Sequence, residues 1–381
     1  MTETTVRLQA GWTWKEEGDD VVVSSPLHPK RLRVRDADRS ARGVLRRLSE
    51  GVRVPDGREA GESFAGADGP IASALLRRLE ELGAVVRRVP GDDVMALSGK
   101  DLYDRQIRFM SYFETDAVSG IAMNRRLQDA CVMVLGMGGL GGWIALLLAR
   151  LGVRHIVGVD PDHIELSNLH RQALYGRSDV GRLKVDAAES ALRAADPDIR
   201  YTGLDLWINE PDDLIPFLDG VDLVINAFPY LPSFGNAPGA AAEAALAAGV
   251  PALNMPITHG IGPLTVPGET ACVRCAWPVL LSDYRIGEEN SVSNPLWAGK
   301  GFLAALAPRQ AISAGVVVWE ATRFLSGMDR ARTLDGFATF DVSDYGGHRF
   351  VEVARNPDCE LCGTAVLKRD PRRAVPEWGE S

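Results

Sequence analysis

Hydrophobic and polar positions follow two different patterns along the chain, which divide it into a small first part and a larger second part. In the first part, strand-like runs such as Asp20–Ser24 precede two segments with helical spacing, 41–48 and 72–82. In the second part, short and nearly continuous apolar runs alternate with helix-like segments, which is typical of a largely parallel sheet with helices on both faces. The predicted strands there are 132–135, 155–159 and 223–227, and the predicted helices are 143–151, 185–195 and 240–248.

These patterns predict four segments. Residues 1–87 are expected to form a small winged-helix-like domain, followed by a linker over residues 88–101. Residues 102–366 are expected to form an α/β domain with a Rossmann-like, mostly parallel sheet, and the basic residues 367–381 a flexible tail. The first domain carries no obvious catalytic spacing, so it is either a fold-completing subdomain or a peptide-docking module.

Composition and charge narrow the class of protein. The 381 residues include 42 Lys and Arg against 51 Asp and Glu, giving a net charge of −9. This balance argues against nucleic acid or an anionic membrane surface as the main partner.

Residues 130–149 form an uncharged run, but its glycines favour a strand, a tight turn and a helix over a membrane span. Residues 1–15 have no secretory signal pattern, and the sequence therefore predicts a cytoplasmic enzyme.

A glycine-rich turn follows the first strand of the larger part and opens a helix. It contains Gly136, Gly138, Gly139 and Gly141. Backbone N–H groups at such a turn, with the positive end of the helix dipole behind them, suit a phosphate. Asp160 ends the next strand, 19 residues after Gly141, where a carboxylate can accept hydrogen bonds from ribose hydroxyls. By itself this pattern also fits a nicotinamide-dependent oxidoreductase, or tight packing without a ligand.

Polar residues after Asp160 favour phosphate chemistry over hydride transfer. Asn168, Arg171 and Lys184 place an amide and two cations near the phosphate end of the predicted nucleotide site. Hydride transfer does not need such a set, whereas attack on the α-phosphate of ATP spreads negative charge over phosphate oxygens. Arg171 and Lys184 can hold that charge, and Asn168 can donate to phosphate or ribose.

The spacing of these residues resembles that of the ThiF/MoeB/HesA superfamily of adenylating enzymes, which are relatives of the ubiquitin-activating enzymes. The similarity covers about residues 100–366. It implies that ATP is bound and that Arg171 and Lys184 are catalytic. The positions that match in register are Gly136–Gly141, Asp160, Asp162, Asn168, Arg171, Gln172 and Lys184. The resemblance thus places the four glycines, both aspartates, the Asn and the Gln in the ATP site.

A second motif lies upstream of the glycine turn. Residues Tyr103–Ile107 resemble the family motif whose arginine reaches the ATP of the neighbouring subunit. The resemblance therefore implies that Arg105 is a catalytic residue that acts in trans, and that the chain forms a homodimer.

Four of the five cysteines form two CxxC pairs. Cys272 and Cys275 are separated from Cys359 and Cys362 by 83 residues. Two such pairs predict a closed tetrahedral site for a structural zinc ion, and the resemblance implies the same site. The fifth, Cys131, is predicted to be a buried apolar residue of the first strand. Because no cysteine lies between the two pairs, transfer of a ubiquitin-like protein through a thioester in that segment is disfavoured.

Within the superfamily the chain most resembles the MccB-like, peptide-modifying branch, which joins an N-terminal peptide-clamp domain to an adenylating core with a zinc site. Residues 262–275 and 356–363 carry this likeness. The branch implies ATP-dependent adenylation of a carboxylate on a ribosomally made precursor peptide during natural-product maturation. The N-terminal domain would bind the leader of that peptide as an added strand at a sheet edge, and a further tailoring enzyme is a possible partner.

One position departs from the family pattern. The family places an aspartate just after the strand that corresponds to Leu223–Asn226, where it holds the Mg²⁺ of ATP, and residues 225–230 contain no carboxylate. Asp162, Asp205 and Asp222 are candidates to replace it. Either magnesium is held differently, or the chain is a catalytically reduced leader-peptide-binding partner in a cyclodehydratase-type complex. The sequence retains Arg171, Lys184 and Asn168, which favours an active enzyme.

Overall fold

The structure, a computed structural model, describes most of the chain in nine stretches. They are residues 3–36, 39–55, 63, 69–89, 91–228, 237–255, 260–284, 305–340 and 348–367. The chain divides into two compact units, one within Met1–Arg126 and the other within Leu127–Ala374. Nearly all of the predicted tail lies outside the described residues.

The first unit contains two antiparallel sheets and the helices that cover them. Its elements are β1 (Glu3–Leu8), β2 (Thr13–Glu17), β3 (Asp20–Ser25), β4 (His28–Arg35), α1 (Ser40–Glu50), β5 (Val52–Pro55), α2 (Gly69–Glu81), β6 (Val85–Arg88) and α3 (Asp104–Met110), with α4 (Gly120–Asp129) across the division. β1 lies between β5 and β6, and β3 lies between β2 and β4. Leu45 and Leu48 of α1 and Leu79 of α2 are fully buried in the core of this unit, as their helical spacing predicts.

Buried charges tie the first sheet to the segment that follows it. Arg7 on β1 forms ion pairs of 2.8 Å with both Asp93 and Glu114. Arg88 on β6 reaches the other oxygen of Glu114 at 3.1 Å. The side chains of Arg7, Arg88 and Glu114 are almost inaccessible to water, and that of Asp93 is largely so. The network therefore fastens β1 and β6 to the segment over residues 93–114, which follows the sheet in sequence.

The second unit is built on a mostly parallel sheet. Its elements are β7 (Cys131–Leu135), α5 (Gly139–Arg150), β8 (His155–Val159), α6 (Lys184–Ala195), β9 (Arg200–Leu204), β10 (Leu223–Asn226), α7 (Ala237–Ala247), β11 (Ala252–Asn254), β12 (Gly260–Ile261), β13 (Leu264–Thr265), α8 (Val273–Tyr284), α9 (Ala307–Ser326), β14 (Gly336–Phe340) and β15 (His348–Glu352). The main sheet has the order β13-β11-β10-β7-β8-β9, and every pairing except β11 with β13 is parallel. A second, antiparallel sheet has the order β12-β14-β15.

Helices cover both faces of the main sheet. Met133 and Leu135 of β7 belong to one buried cluster with the alanines of α7. Val134 points to the opposite face, where its side chain approaches Gly141 of α5. Since neighbouring residues of a strand face opposite sides, this alternation confirms the predicted layering of helix, sheet and helix.

The uncharged run over residues 130–149 forms β7, the glycine turn and most of α5, as predicted. Among the described residues, no helix combines the length and the apolar character needed to cross a lipid bilayer.

Candidate functional site

The glycine turn joins β7 to α5 and leaves no room for side chains at its tightest points. Gly136 has a φ angle of +85°, and its N–H donates to the carbonyl oxygen of Val159 at 2.7 Å. A Cβ atom on Gly141 would lie 1.7 Å from the carbonyl oxygen of Gly136. α5 begins at Gly139, and Gly138 before it has no side chain to cap the helix. Such an end presents backbone N–H groups to an anion.

The backbone of Met137, inside this turn, is held from both sides. Its N–H donates to the carboxylate of Asp160 at 2.8 Å, and its carbonyl oxygen accepts a hydrogen bond from the Tyr175 hydroxyl at 2.7 Å. Burial raises the pKa of Asp160, although the Lys184 ammonium acts in the opposite direction. Burial also raises the pKa of Tyr175, which keeps its hydroxyl protonated as a donor. Tyr175 was not predicted as a site residue, because its contact with Met137 depends on the tertiary fold.

Lys184, the first residue of α6, forms an ion cluster with two aspartates. Its Nζ atom lies 3.3 Å from each carboxylate oxygen of Asp160 and 2.6 Å from Oδ2 of Asp162. The backbone places it there, because the N–H of Lys184 donates to the carbonyl oxygen of Asp162 at 2.9 Å and His163 bridges Leu183. The Asp162 side chain is 55% exposed, whereas those of Lys184 and Asp160 are almost buried.

The turn that follows carries the next three predicted residues. The N–H groups of Arg171 and Gln172 both donate to the carbonyl oxygen of Asn168 at 3.1 Å. The side-chain oxygen of Asn168 accepts a hydrogen bond from the N–H of Glu165 at 3.1 Å, which fixes the start of the turn. These hydrogen bonds therefore join Asn168, Arg171 and Gln172 in one group.

This group packs against the glycine turn. The aliphatic part of Arg171 lies 3.4 Å from the position that a Cβ atom on Gly139 would take. The side-chain amide nitrogen of Gln172 lies 3.6 Å from the position that a Cβ atom on Gly138 would take. Burial lowers the pKa of Arg171. The side-chain oxygen of Gln172 is buried without a hydrogen-bond partner in the structure. Gln172 is 4% exposed, so this oxygen faces the interior of the protein.

In the segment where the family resemblance expects an aspartate, an aromatic ring lies beside the glycine turn. β10 ends at Asn226, and the ring of Phe228 two residues later lies 3.2 Å from the position of a Cβ on Gly136. The side chain of Asn226 is turned into the protein, where it donates to the carbonyl oxygen of Pro238 at 2.9 Å. Residues 229 and 230 of the same segment lie outside the described residues.

The three proposed replacement carboxylates differ in position. Asp222 accepts a hydrogen bond from the N–H of Cys131 at 2.9 Å, so it lies at the edge of the sheet opposite the glycine turn. Asp205 follows the edge strand β9 and is exposed. Asp162 lies at the correct edge but is paired with Lys184. The described residues therefore do not reproduce the family's magnesium ligand.

The four cysteines of the two CxxC pairs converge, as predicted. The Sγ atom of Cys272 lies 3.9 Å from that of Cys275 and 3.8 Å from that of Cys359, and Cys275 lies 3.6 Å from Cys362. All four sulfur atoms lie within 4.8 Å of one another. Four thiolates around one zinc ion are about 3.8 Å apart, so this cluster fits a closed structural site. Cys131 is buried in β7, separate from the cluster, which agrees with its predicted role.

The turn that carries the second cysteine pair requires glycine at its end, because a Cβ on Gly363 would lie 2.5 Å from the carbonyl oxygen of Pro357. Burial acts to raise the pKa of Cys359, but the N–H groups of Cys362 and Leu361 outweigh it and lower that pKa to about 7. Burial raises the pKa of Cys362 in the same pair to about 11. Binding of a metal ion by all four sulfur atoms would therefore be coupled to the loss of thiol protons.

Comparisons with known proteins agree with this geometry. The sequence profile of the ThiF family matches residues 103–361. The chain belongs to the ThiF family. It is 29% identical over 269 residues to the sulfur carrier protein ThiS adenylyltransferase of Escherichia coli, covering 67% of this chain and 95% of that one. It is 28% identical over 270 residues to the molybdopterin-synthase adenylyltransferase of E. coli, and the match covers 68% of this chain and 95% of that one.

A solved structure of similar fold is that of E. coli MccB with AMPCPP and MccA. It superimposes on this ThiF-family chain with a TM-score of 0.72 at 19% sequence identity, covering 94% of this chain and all of that one. At this level of identity the likeness concerns the fold.

Most of the predicted site residues thus come together in the second unit. The four glycines, both aspartates, Asn168, Arg171, Gln172 and Lys184 all lie around the β7–α5 turn. Arg105 belongs to the first unit, where it is exposed on α3. Its predicted action on a second subunit stays a prediction.

Proposed function

We propose that this chain uses ATP to adenylate a carboxylate on a ribosomally made peptide. The main support is the Lys184 ammonium, held within 3.3 Å of Asp160 beside the first turn of α5. A fixed cation next to an uncapped helix N-terminus is suited to phosphate groups. The named ThiF-family relatives are adenylyltransferases, which supports the same reaction class.

Adenylation forms a bond between a carboxylate oxygen and the α-phosphorus of ATP and breaks the bond to the departing pyrophosphate. Negative charge therefore builds up on phosphate oxygens during the reaction. Lys184 and Arg171 would stabilise that charge, and the N–H groups of the glycine turn would hold the phosphates. Asp160 would bind the ribose, and Gln172 would belong to the ATP site through its packing against Gly138.

The exposed contact of Lys184 is the one that phosphate would replace. Asp162 is more than half exposed, so its carboxylate can be rehydrated when Lys184 turns toward a phosphate. Asp160 is buried and would keep its contact with Lys184. Lys184 would thus remain oriented while its outer partner changes.

The peptide substrate is supported by the structures of similar fold. MccB, described as a microcin C7 biosynthetic enzyme, has been solved with MccA bound. In this chain, β4 is an outermost strand of its sheet, a place where a leader peptide could add as a further strand. We propose that the winged-helix-like domain over residues 1–87 binds the leader, and that the reaction takes place in the cytoplasm.

Exchange of labelled pyrophosphate into ATP tests the reaction. With ATP, magnesium and the precursor peptide, wild type is expected to catalyse exchange, and Lys184→Ala is expected to reduce it by at least about 100-fold. Arg193→Ala, on the exposed face of the same helix, is the matched control and is expected to retain wild-type exchange. Equal exchange by wild type and Lys184→Ala would contradict the proposal.

Mixed subunits test the proposed homodimer. Arg105→Ala and Lys184→Ala are each expected to be inactive, because each removes one part of every site. Mixing them is expected to restore about a quarter of wild-type activity, since half of the dimers then contain one complete site. No recovery after subunit exchange, verified by mass spectrometry, would show that Arg105 does not act in trans.

A second candidate function is that of a leader-peptide-binding partner without catalysis, within a larger peptide-modifying complex. The observation that favours it is Phe228, an apolar residue in the segment where the family has an aspartate. This alternative predicts tight binding of the precursor peptide and no measurable binding of ATP. Calorimetric titration with each ligand distinguishes the two functions.

A further inference from the structure

The segment over residues 171–175 packs along the inner side of the glycine turn. The Cδ1 atom of Leu174 lies 3.6 Å from the position that a Cβ atom on Gly142 would take. The hydroxyl of Tyr175, the next residue, donates a hydrogen bond to the carbonyl oxygen of Met137 at 2.7 Å. Leu174 and Tyr175 are both buried. Tyr175 is therefore a fixed donor that holds the backbone of the turn from inside the protein.

The peptide group between Met137 and Gly138 has one end inside the protein and the other toward its surface. Met137 is buried, whereas Gly138 is partly exposed. This peptide is trans, since the one cis peptide bond in the described ranges is Gly262–Pro263. The C=O and N–H of a planar trans peptide point in opposite directions. Because the carbonyl oxygen of Met137 is turned toward the Tyr175 hydroxyl, the N–H of Gly138 is turned away from it.

The N–H of Gly138 is the first one in the turn that is left for a ligand. The N–H of Gly136 donates to the carbonyl oxygen of Val159, and that of Met137 donates to the carboxylate of Asp160 at 2.8 Å. None of the described residues accepts a hydrogen bond from the N–H of Gly138. This N–H lies immediately before α5, where the positive end of the helix dipole favours an anion.

We propose that Tyr175 is a positioning residue of the nucleotide site, because its hydroxyl fixes the peptide that presents the N–H of Gly138 to a phosphate oxygen. The proposal rests on the proposed function, since the ligand is the same nucleotide. Tyr175 itself does not touch the nucleotide. Without its hydroxyl the peptide is free to rotate, and the N–H must be oriented again each time a phosphate binds, which lowers affinity.

Calorimetry of the full chain with the ATP analogue AMPCPP and magnesium tests this role. Tyr175→Phe keeps the aromatic ring and removes only the hydroxyl, and its dissociation constant is expected to be at least about fivefold higher than that of wild type. Tyr201→Phe is the matched control. Tyr201 is also buried, but its hydroxyl has no hydrogen-bond partner among the described residues. Its variant is expected to bind AMPCPP within about twofold of wild type.

A spectroscopic measurement observes the peptide itself. Met137–Gly138 is the only Met–Gly pair in the sequence. Labelling methionine with carbonyl ¹³C and glycine with ¹⁵N therefore gives a single ¹³C-coupled amide resonance, that of Gly138. In wild type, AMPCPP is expected to move its proton signal downfield, as a new hydrogen bond to phosphate would. In Tyr175→Phe at saturating AMPCPP the displacement is expected to be smaller.

The outcomes separate a positioning role from a structural one and from failure of the proposed function. A lower melting temperature of Tyr175→Phe with an unchanged dissociation constant would refute the positioning role and leave adenylation standing. If wild type does not bind AMPCPP, both proposals fail. Should Tyr175→Phe not fold, the wild-type resonance decides: a downfield displacement of the Gly138 signal supports the proposal, and binding of AMPCPP without any displacement overturns it.

Discussion

Gly141 lies in the first turn of α5, where the carbonyl oxygen of Gly136 occupies the space that a side chain would need. A methyl group there would be 1.7 Å from that oxygen, so Gly141→Ala must displace the turn. We expect a loss of about 3 kcal/mol in the free energy of unfolding, measured in urea. Gly315→Ala, at an open position in the middle of α9, is the control and is expected to gain about 0.5–1 kcal/mol. Equal stability of the two variants would show that the turn can relax.

Asp160 gives the stability of the fold a defined dependence on pH. Its pKa is raised in the folded chain, so the folded state takes up the proton at a higher pH than the unfolded state does. Its contribution to stability is therefore present at low pH and is lost as the pH rises through the folded-state pKa. Asp160→Asn lacks this titration, and its stability relative to wild type is expected to rise from about pH 4 to about pH 7.

Urea unfolding at several pH values measures this difference. Asp198→Asn, which alters an exposed carboxylate, is the control and is expected to follow wild type at each pH. A constant difference between Asp160→Asn and wild type would mean that Lys184 fully compensates the burial of the carboxylate.

Some contacts of the candidate site could be predicted from the sequence, and others could not. The spacing of Asp160, Lys184 and the glycines predicts that they share a site, because local motifs fix their places in strand, turn and helix. The pairing of Lys184 with Asp162 and the packing of Phe228 on Gly136 were missed. Both depend on which strands become neighbours, and that is set by packing across the whole sheet.

At the level of elements, the buried network of Arg7, Arg88, Asp93 and Glu114 is expected to be the most sensitive contact of the first unit. Glu114→Gln leaves two buried guanidinium groups with one carboxylate between them. Breaking a buried pair in this way costs about 3–5 kcal/mol, which urea unfolding of the full chain can measure.

The same two segments supply a control for this prediction. Arg87 and Asp116 form an exposed pair at 3.0 Å, one residue from Arg88 and two from Glu114. Asp116→Asn is expected to cost less than about 1 kcal/mol. Similar losses from the two substitutions would indicate that water reaches the inner network.

Predicted and observed elements agree best where apolar runs are strong. The strands over 132–135 and 155–159 and the helix over 185–195 are confirmed as β7, β8 and α6 within one residue at each end. α5 begins four residues earlier than predicted, because glycines that favour a turn in isolation are held in a helix by the packing around them. β1 was not predicted, since only its last three residues are buried and its partners come from distant parts of the chain.

At the scale of the whole molecule, the cysteine cluster closes a long loop. Cys272 and Cys359 are 87 residues apart in sequence, and their sulfur atoms are in contact distance. We expect one zinc ion per chain by mass spectrometry of the native protein, and we expect Cys359→Ser to lower both the zinc content and the melting temperature. Cys131→Ala is the control for metal content and is expected to retain zinc. Full zinc in Cys359→Ser would place the metal elsewhere.

The buried network of the first unit limits how that unit can be transplanted to other proteins. A fragment that stops at residue 88 keeps Arg7 and Arg88 but loses both of their carboxylate partners. Two unpaired positive charges would then lie inside its sheet, which favours unfolding or aggregation of the fragment. A graft that extends through residue 126, where the first compact unit ends, carries both partners with it and keeps these charges paired in a fusion to a foreign enzyme.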